Sequence, residues 1–248
     1  MKNGKNYRGT LLVILACLAI WEGLYLHVGE SALASPLATI EHLVVLLQSP
    51  NFWWHAAETA RAFAMAFVIA CVGGILLGLM LGLRPLASKV VEPILVNLYS
   101  VPKVVLYPLV LLCFGLGISA KVAFGVMHGL IPITLFSMNA IREMKPVYRR
   151  TAQVLQLSSS QAALTVIVPA ILPEILSGVR LGFSLTILGV LIGEMFASQR
   201  GLGYLLTSAI NLGQIDTVMA IALLLTIFAI SCNALLMMLD NRLSHQRR

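Results

Sequence analysis

Apolar residues along this chain come in long blocks. They do not show the strict alternation of a half-buried strand or the narrow stripe of a soluble amphipathic helix. A helix needs about 20 apolar residues, at 1.5 Å rise each, to cross the hydrocarbon core of a bilayer. Six blocks approach or reach that length: Leu11–Val28, Ala62–Leu83, Ile94–Leu116, Val122–Ile141, Ile171–Ile192 and Thr217–Leu239. Charges interrupt them rarely, with Glu22 in the first, Lys103 in the third, and Glu174 and Arg180 in the fifth. The pattern predicts an all-α integral membrane protein of about six transmembrane helices. Residues 1–54 form an N-terminal tail, first span and outer segment, residues 55–240 the main transmembrane domain, and residues 241–248 a basic tail.

Composition agrees with a bilayer as solvent. Hydrophobic residues make up 59% of the 248 residues and charged residues 11%, too little polar surface to coat a soluble domain of this size. The net charge of +7 does not point to nucleic acid, because the basic residues sit in short segments between apolar blocks and are not interleaved with aromatics. With the N-terminus inside, the inner segments hold Lys2, Lys5, Arg8, Arg84, Lys89, Arg142, Lys145, Arg149, Arg150, Arg242, Arg247 and Arg248. The outer segments hold only Arg61, Lys121 and Arg200. This asymmetry predicts that both termini are cytoplasmic. The basic start, the first apolar block and Ala32-Leu33-Ala34 loosely resemble a cleavable signal, but the block is longer than the usual signal core and contains Glu22, which favours a retained helix with Glu22 turned toward protein.

Within the blocks, Gly74, Gly78 and Gly82 recur every four residues, so one face of the second helix can lie close to a neighbouring backbone. Pro102, Pro108 and Pro132 are expected to kink their helices. Cys17, Cys71, Cys113 and Cys232 lie singly in apolar blocks with no CxxC spacing, as apolar packing residues do. His27, His42, His55, His128 and His245 form no HxxxH or HExxH pair, so neither a metal site nor a catalytic site is expected.

The segment 142–170 breaks the pattern. Val147, Val154 and Leu155 recur at helical spacing among polar residues, which predicts a short helix over Val147–Leu155. Ser158 with Gln161 is a capping-box pair, so a second short helix should start at Ser159, with Pro169 closing it. Two short helices under the membrane could serve as a docking element or as a plain connection.

The same segment carries a resemblance. Val168-Pro169-Ala170-Ile171-Leu172-Pro173, followed by Gly178-Val179-Arg180, resembles the end of the EAA loop of bacterial ATP-binding-cassette importer permeases. On that spacing the EAA position falls on Arg150-Thr151-Ala152, the glycine position on Gln156 and the proline on Pro169. Ser100-Val101-Pro102-Lys103-Val104-Val105-Leu106-Tyr107-Pro108-Leu109, ending in Phe114-Gly115, is similar to the third-helix signature of the nitrate/sulfonate/taurine branch. Glu194-Met195 with Gly201-Leu202-Gly203-Tyr204-Leu205, and Asp216 before the last block, resemble later segments of that branch. The likeness covers about residues 55–240.

The resemblance implies a permease subunit that acts as a homodimer, driven by two cytoplasmic ATP-binding subunits and fed by an extracytoplasmic solute-binding protein, in the bacterial inner membrane. It implies that the loop residues Tyr148, Arg149, Arg150, Thr151, Ala152, Gln153, Leu155, Gln156 and Pro169 form the contact to the ATPase. The chain itself would bind no cofactor, with ATP and Mg used by the partner, and it has no GxxxxGK[ST] phosphate loop. Two departures stand out: Arg150 replaces the acidic residue, losing any favourable interaction with the helix dipole, and Gln156 replaces the glycine. They read as an adaptation to a particular ATPase or as weakened coupling.

Charged groups at membrane depth are candidates for the transport pathway. Lys103 lies about nine residues, or roughly 14 Å, into its span, and Arg180 at similar depth in the fifth. Facing a central path, they would favour an anion; alternatively Arg180 pairs with Glu174 or caps carbonyls. Glu194 and Asp216, at outer helix ends, either meet the binding protein or mark the lipid–water boundary. A stand-alone secondary transporter is the competing function, but it would usually carry intramembrane carboxylates and internal repeats, and an intramembrane enzyme would need clustered catalytic groups.

Overall fold

The computed structural model describes the backbone of residues 4–30 and 32–245, and side chains of residues 9–238 apart from 31, 149, 159 and 197. The Arg149 side chain and residues 1–3 and 246–248, with Lys2, Arg247 and Arg248, lie outside the described residues. Eleven α-helices follow one another among the described residues. They are α1 (Gly4–Val28), α2 (Pro36–Gln48), α3 (Pro50–Gly82), α4 (Pro85–Ser100), α5 (Tyr107–Phe114), α6 (Ile118–Arg142), α7 (Pro146–Val154), α8 (Ser159–Ala162), α9 (Val168–Ala197), α10 (Leu202–Asn211) and α11 (Ile215–His245). Five are long and apolar enough to cross a membrane, and the bent pair α4–α5 would make a sixth span. Proline stands in the first turn of α2, α3, α4 and α7, where its missing N–H would lack a helical partner anyway.

The core is a three-helix packing of α3, α6 and α9, with α6 at its centre. The buried stripe of α3 is Phe52, His55, Thr59, Ala62, Ala66, Ala70, Gly74, Gly78 and Gly82, and small residues fill most of it. The three glycines lie against α6 as the four-residue spacing predicts. A Cβ on Gly78 would sit 2.5 Å from Ser137 Cβ and 2.6 Å from the Thr134 carbonyl oxygen. Helices in lipid gain contact through such close backbone approach, because burying apolar surface from lipid brings no hydrophobic gain. The helix of the second apolar block, α3, begins at Pro50, twelve residues before the block starts at Ala62, because His55, Glu58 and Arg61 end the apolar run without ending the helix. Helix α2, not anticipated from the blocks, is capped by Ser35, whose Oγ accepts the Ala38 N–H at 3.1 Å.

The kink expected at Pro102 in the third block is a sharp one: α4 and the following turn and α5 meet at 87°. Val101 precedes Pro102 and is held out of the helical region at ψ 131, as residues before proline are. Two further expectations need correction. Pro169 does not close the second loop helix. A π turn at Ala163–Ile167 joins α8 to α9, with the Val168 N–H reaching the Ala163 carbonyl, so the rod runs on through Pro169. Widening the turn accommodates the ring without a break. Glu22 is exposed, and α1 stands away from the three-helix core, in contact mainly with α2. Trp21 Nε1 ties it down, donating to the Ala34 carbonyl at 3.0 Å.

Candidate functional site

Two features stand at opposite ends of the bundle. At one end, between α6 and α9, lies the loop. Helix α7 spans Pro146–Val154, within a residue of the range read from the spacing. The Ser158–Gln161 capping box is present: Gln161 Oε1 accepts the Ser158 N–H at 3.0 Å, and Ser158 Oγ accepts the Gln161 N–H at 3.4 Å. Ala152 is buried, and α7 packs mainly on the π turn Ala163–Ile167, while Thr151 and Gln153 are exposed. Val147, Tyr148, Val154 and Leu155 are exposed, Val154 at 81%. Arg150 is the fifth residue of α7, a turn past the positive end of the helix dipole, so its sign matters less to helix stability than expected. Gln156 has φ 49, the left-handed conformation that glycine adopts without steric cost. The substitution therefore keeps the backbone shape that the glycine position needs and carries the strain. Arg142, at the end of α6, forms an ion pair with Glu92 of α4, tying α4 to this end of the bundle.

At the other end lies a buried polar cluster that organises the start of α10. Glu194, near the end of α9, is 0% exposed. This corrects its placement as a surface contact or boundary marker. Its carboxylate accepts the Thr59 hydroxyl at 2.8 Å and the Gly203 N–H at 3.0 Å, and lies 3.7 Å from Lys121 Nζ. Thr59 Oγ1 in turn accepts the Leu202 N–H at 2.7 Å, and His55 Nδ1 accepts the Gly201 N–H at 3.1 Å. The three N–H groups at the head of α10 thus find partners on α3 and α9, where a helix start would otherwise leave them unpaired. Lys121, 2% exposed, donates to the Arg200 carbonyl at 2.7 Å and lies 3.6 Å from Glu58. Gly201 has φ +116, and a Cβ there would fall 2.1 Å from Glu194 Cδ, so glycine is required on both counts. The Tyr107 hydroxyl donates to the Gly193 carbonyl at 2.6 Å and secures α5 to the same end of α9.

The remaining candidates are dispersed. Lys103 lies in a 3₁₀ turn at the break between α4 and α5. It is 9% exposed, with Nζ donating to the Tyr99 carbonyl at 3.1 Å and standing 5.0 Å over the Tyr99 ring. Arg180 is half-buried on α9, and among the described residues no ion pair links it to Glu174. Asp216 is exposed in the first turn of α11, where a carboxylate complements the helix dipole. Sequence reasoning missed His55, Glu58 and Thr59 as site residues. Extending the four-residue period of Gly74, Gly78 and Gly82 backward along α3 reaches Ala70, Ala66 and Ala62; a three-residue step, which keeps the same helical face, then leads to Thr59 and on to His55, two of the missed residues.

A bundle of this kind, with an exposed loop helix at one end, has the form of a membrane-embedded transport subunit. Residues 74–248 match the family model of the binding-protein-dependent transport system inner membrane component. The chain belongs to that family: it is a multi-pass inner-membrane permease subunit of an ATP-binding-cassette importer, without catalytic function of its own. Its similarities fall in the branch to which the sequence signatures point. The chain is 29% identical to the taurine transport system permease protein TauC of Escherichia coli K12, over 95% of this chain and 87% of that protein. It is 24% identical to the nitrate import permease protein NrtB of Leptolyngbya laminosa, over 94% and 86% respectively. Its backbone also matches a chain from the crystal structure of an amino acid ABC transporter with histidines, with TM-score 0.63 and 18% identity, over 81% of this chain and 98% of that one. That last likeness is one of fold.

Proposed function

We propose that two copies of this chain form the translocation pathway of an importer for a small anion of the nitrate, sulfonate or taurine kind. Both termini and the 142–170 loop face the ATPase side. A solute-binding protein delivers the solute at the opposite end, and two ATP-binding subunits, which hold ATP and Mg, drive the cycle. Helix α7 is the coupling element, and Tyr148, Arg150, Gln153, Leu155 and Gln156 accompany it in the docking surface. The observation that carries this reading is the exposed apolar set Val147, Tyr148, Val154 and Leu155 on a short helix that packs mainly on the π turn Ala163–Ile167. A short helix joined to two spans can turn the closure of a partner into motion of the spans. Its exposed apolar side chains suit a helix-in-groove contact. The taurine and nitrate permeases among its relatives name solutes that carry an oxyanion group, which supports the solute class.

The test uses the assembled importer in liposomes and measures ATP hydrolysis stimulated by solute-loaded binding protein. Val154→Asp is expected to abolish stimulation while the permease still inserts and purifies. Unchanged stimulation would remove α7 as the coupling element.

A further inference from the structure

The topology read from the sequence leaves only Arg61, Lys121 and Arg200 as basic residues in the outer segments, on α3, at the start of α6 and in the α9–α10 turn. The fold brings all three to one pocket of about 620 Å³, which Glu58, Gly117 and Ser198 also line. Lys121 is already engaged by Glu58 and Glu194. Neither guanidinium group forms an ion pair among the described residues. Arg61 is exposed and has no ion-pair or hydrogen-bond partner among the described residues. The Arg200 guanidinium carbon stands over the Trp54 ring, 4.7 Å from its centroid. Its backbone is held on both sides: its N–H donates to Ser198 Oγ at 3.0 Å, Ser198 Oγ donates to its carbonyl at 2.6 Å, and Lys121 Nζ donates to the same carbonyl at 2.7 Å. Arg200 is therefore set in place before any ligand arrives, and the buried Glu194 cluster beneath it fixes the turn that carries it.

We infer that this pocket is an oxyanion site, in which Arg61 and Arg200 receive a small sulfonate- or nitrate-like anion at the mouth of the permease. Guanidinium forks match the planar or tetrahedral oxygens of such anions with paired N–H donors. A single well-placed cation would attract an anion, but two forks that line one concave pocket can also orient it. The site is open to water, so binding is weak and falls with salt. The inference rests on the importer reading for the direction of solute flow, whereas binding itself is measured without the ATPase cycle.

The experiment titrates the complete permease–ATPase complex in phosphatidylcholine nanodiscs with ethanesulfonate, without binding protein, and follows the fluorescence of Trp54 through its contact with Arg200. A saturable response is expected, with none to neutral dimethyl sulfone. In the Arg61→Gln/Arg200→Gln double variant, scored by microcalorimetry because the reporter contact is altered, binding should weaken about tenfold. Arg61→Gln alone keeps the reporter and should weaken it by a smaller factor. Equal affinity in wild type and both variants would overturn the inference. So would variants that bind ethanesulfonate normally but lose stimulation by binding protein, since the pocket would then be a protein-docking patch. Loss of the response when phosphatidylglycerol replaces phosphatidylcholine would assign the pocket to a lipid headgroup and also overturn it. Absence of binding-protein-stimulated ATP hydrolysis in the wild type would break the importer reading and leave the anion titration standing.

Discussion

At the loop end of the bundle, Val147, Tyr148, Val154 and Leu155 are exposed on a helix of polar composition that packs mainly on the π turn Ala163–Ile167. At the opposite end the arrangement is reversed: Glu194, Lys121, Thr59 and His55 turn inward and bind one another and the head of α10. The first region has its apolar groups unpaired, which is what a surface made for a partner requires. The second has its polar groups paired, which is what a rigid joint between spans in a low-dielectric medium requires. The same chain thus places an exposed apolar helix and a buried polar joint at opposite ends of the bundle.

The contrast can be broken most sharply at Glu194. Glu194→Ala leaves the buried ammonium of Lys121, the Thr59 hydroxyl and the Gly203 N–H without their acceptor. It should cost about 3–5 kcal/mol, read as a large fall in the thermal midpoint of the detergent-solubilised protein. A midpoint close to wild type would show that the cluster is not a joint. Next comes Gly78→Ala, where the new methyl meets Ser137 and the Thr134 carbonyl; forcing α3 from α6 should cost about 1–3 kcal/mol in the same assay. Gly73→Ala, whose methyl would meet only the flexible Leu130 tip at 3.3 Å, should cost far less and serves as the control. At the loop, Gln156→Gly should act in the opposite direction. Relief of the left-handed strain gains about 1 kcal/mol locally, seen as slower amide exchange across residues 151–158. Faster exchange would mean that Gln156 holds the turn by contacts of its side chain. Smallest is Val154→Asp, expected to shift the thermal midpoint by less than about 0.5 kcal/mol equivalent despite abolishing stimulated ATP hydrolysis. A large midpoint shift there would make α7 part of the fold and not an interface.

Much of the fold was legible because the bilayer imposes a length on apolar blocks. The glycine face of α3, the short helix α7 and the Ser158–Gln161 capping box followed from local spacing and were found in place. The kink at Val101–Pro102 was legible from the proline, but not its size, since apolar residues continue on both sides of it. Proline misled at Pro169, where a π turn lets the helix continue. The candidate site was read least well. Glu194 looked like a boundary residue because it follows the end of an apolar block, and nothing local reveals that Thr59, 135 positions away, meets it.

By itself, the sequence determined membrane residence, the approximate number of spans, the polar loop and the family. All of these rest on local runs, spacings and composition, which the solvent reads residue by residue. Only the tertiary structure decided which charges are buried partners and which remain open. It gathered His55, Glu58, Thr59, Arg61, Lys121, Glu194 and Arg200 from three helices and a turn to one end. Burial and pairing depend on which helix faces lie together, and that follows from close packing along the small-residue stripe of α3, a contact between segments far apart in the chain.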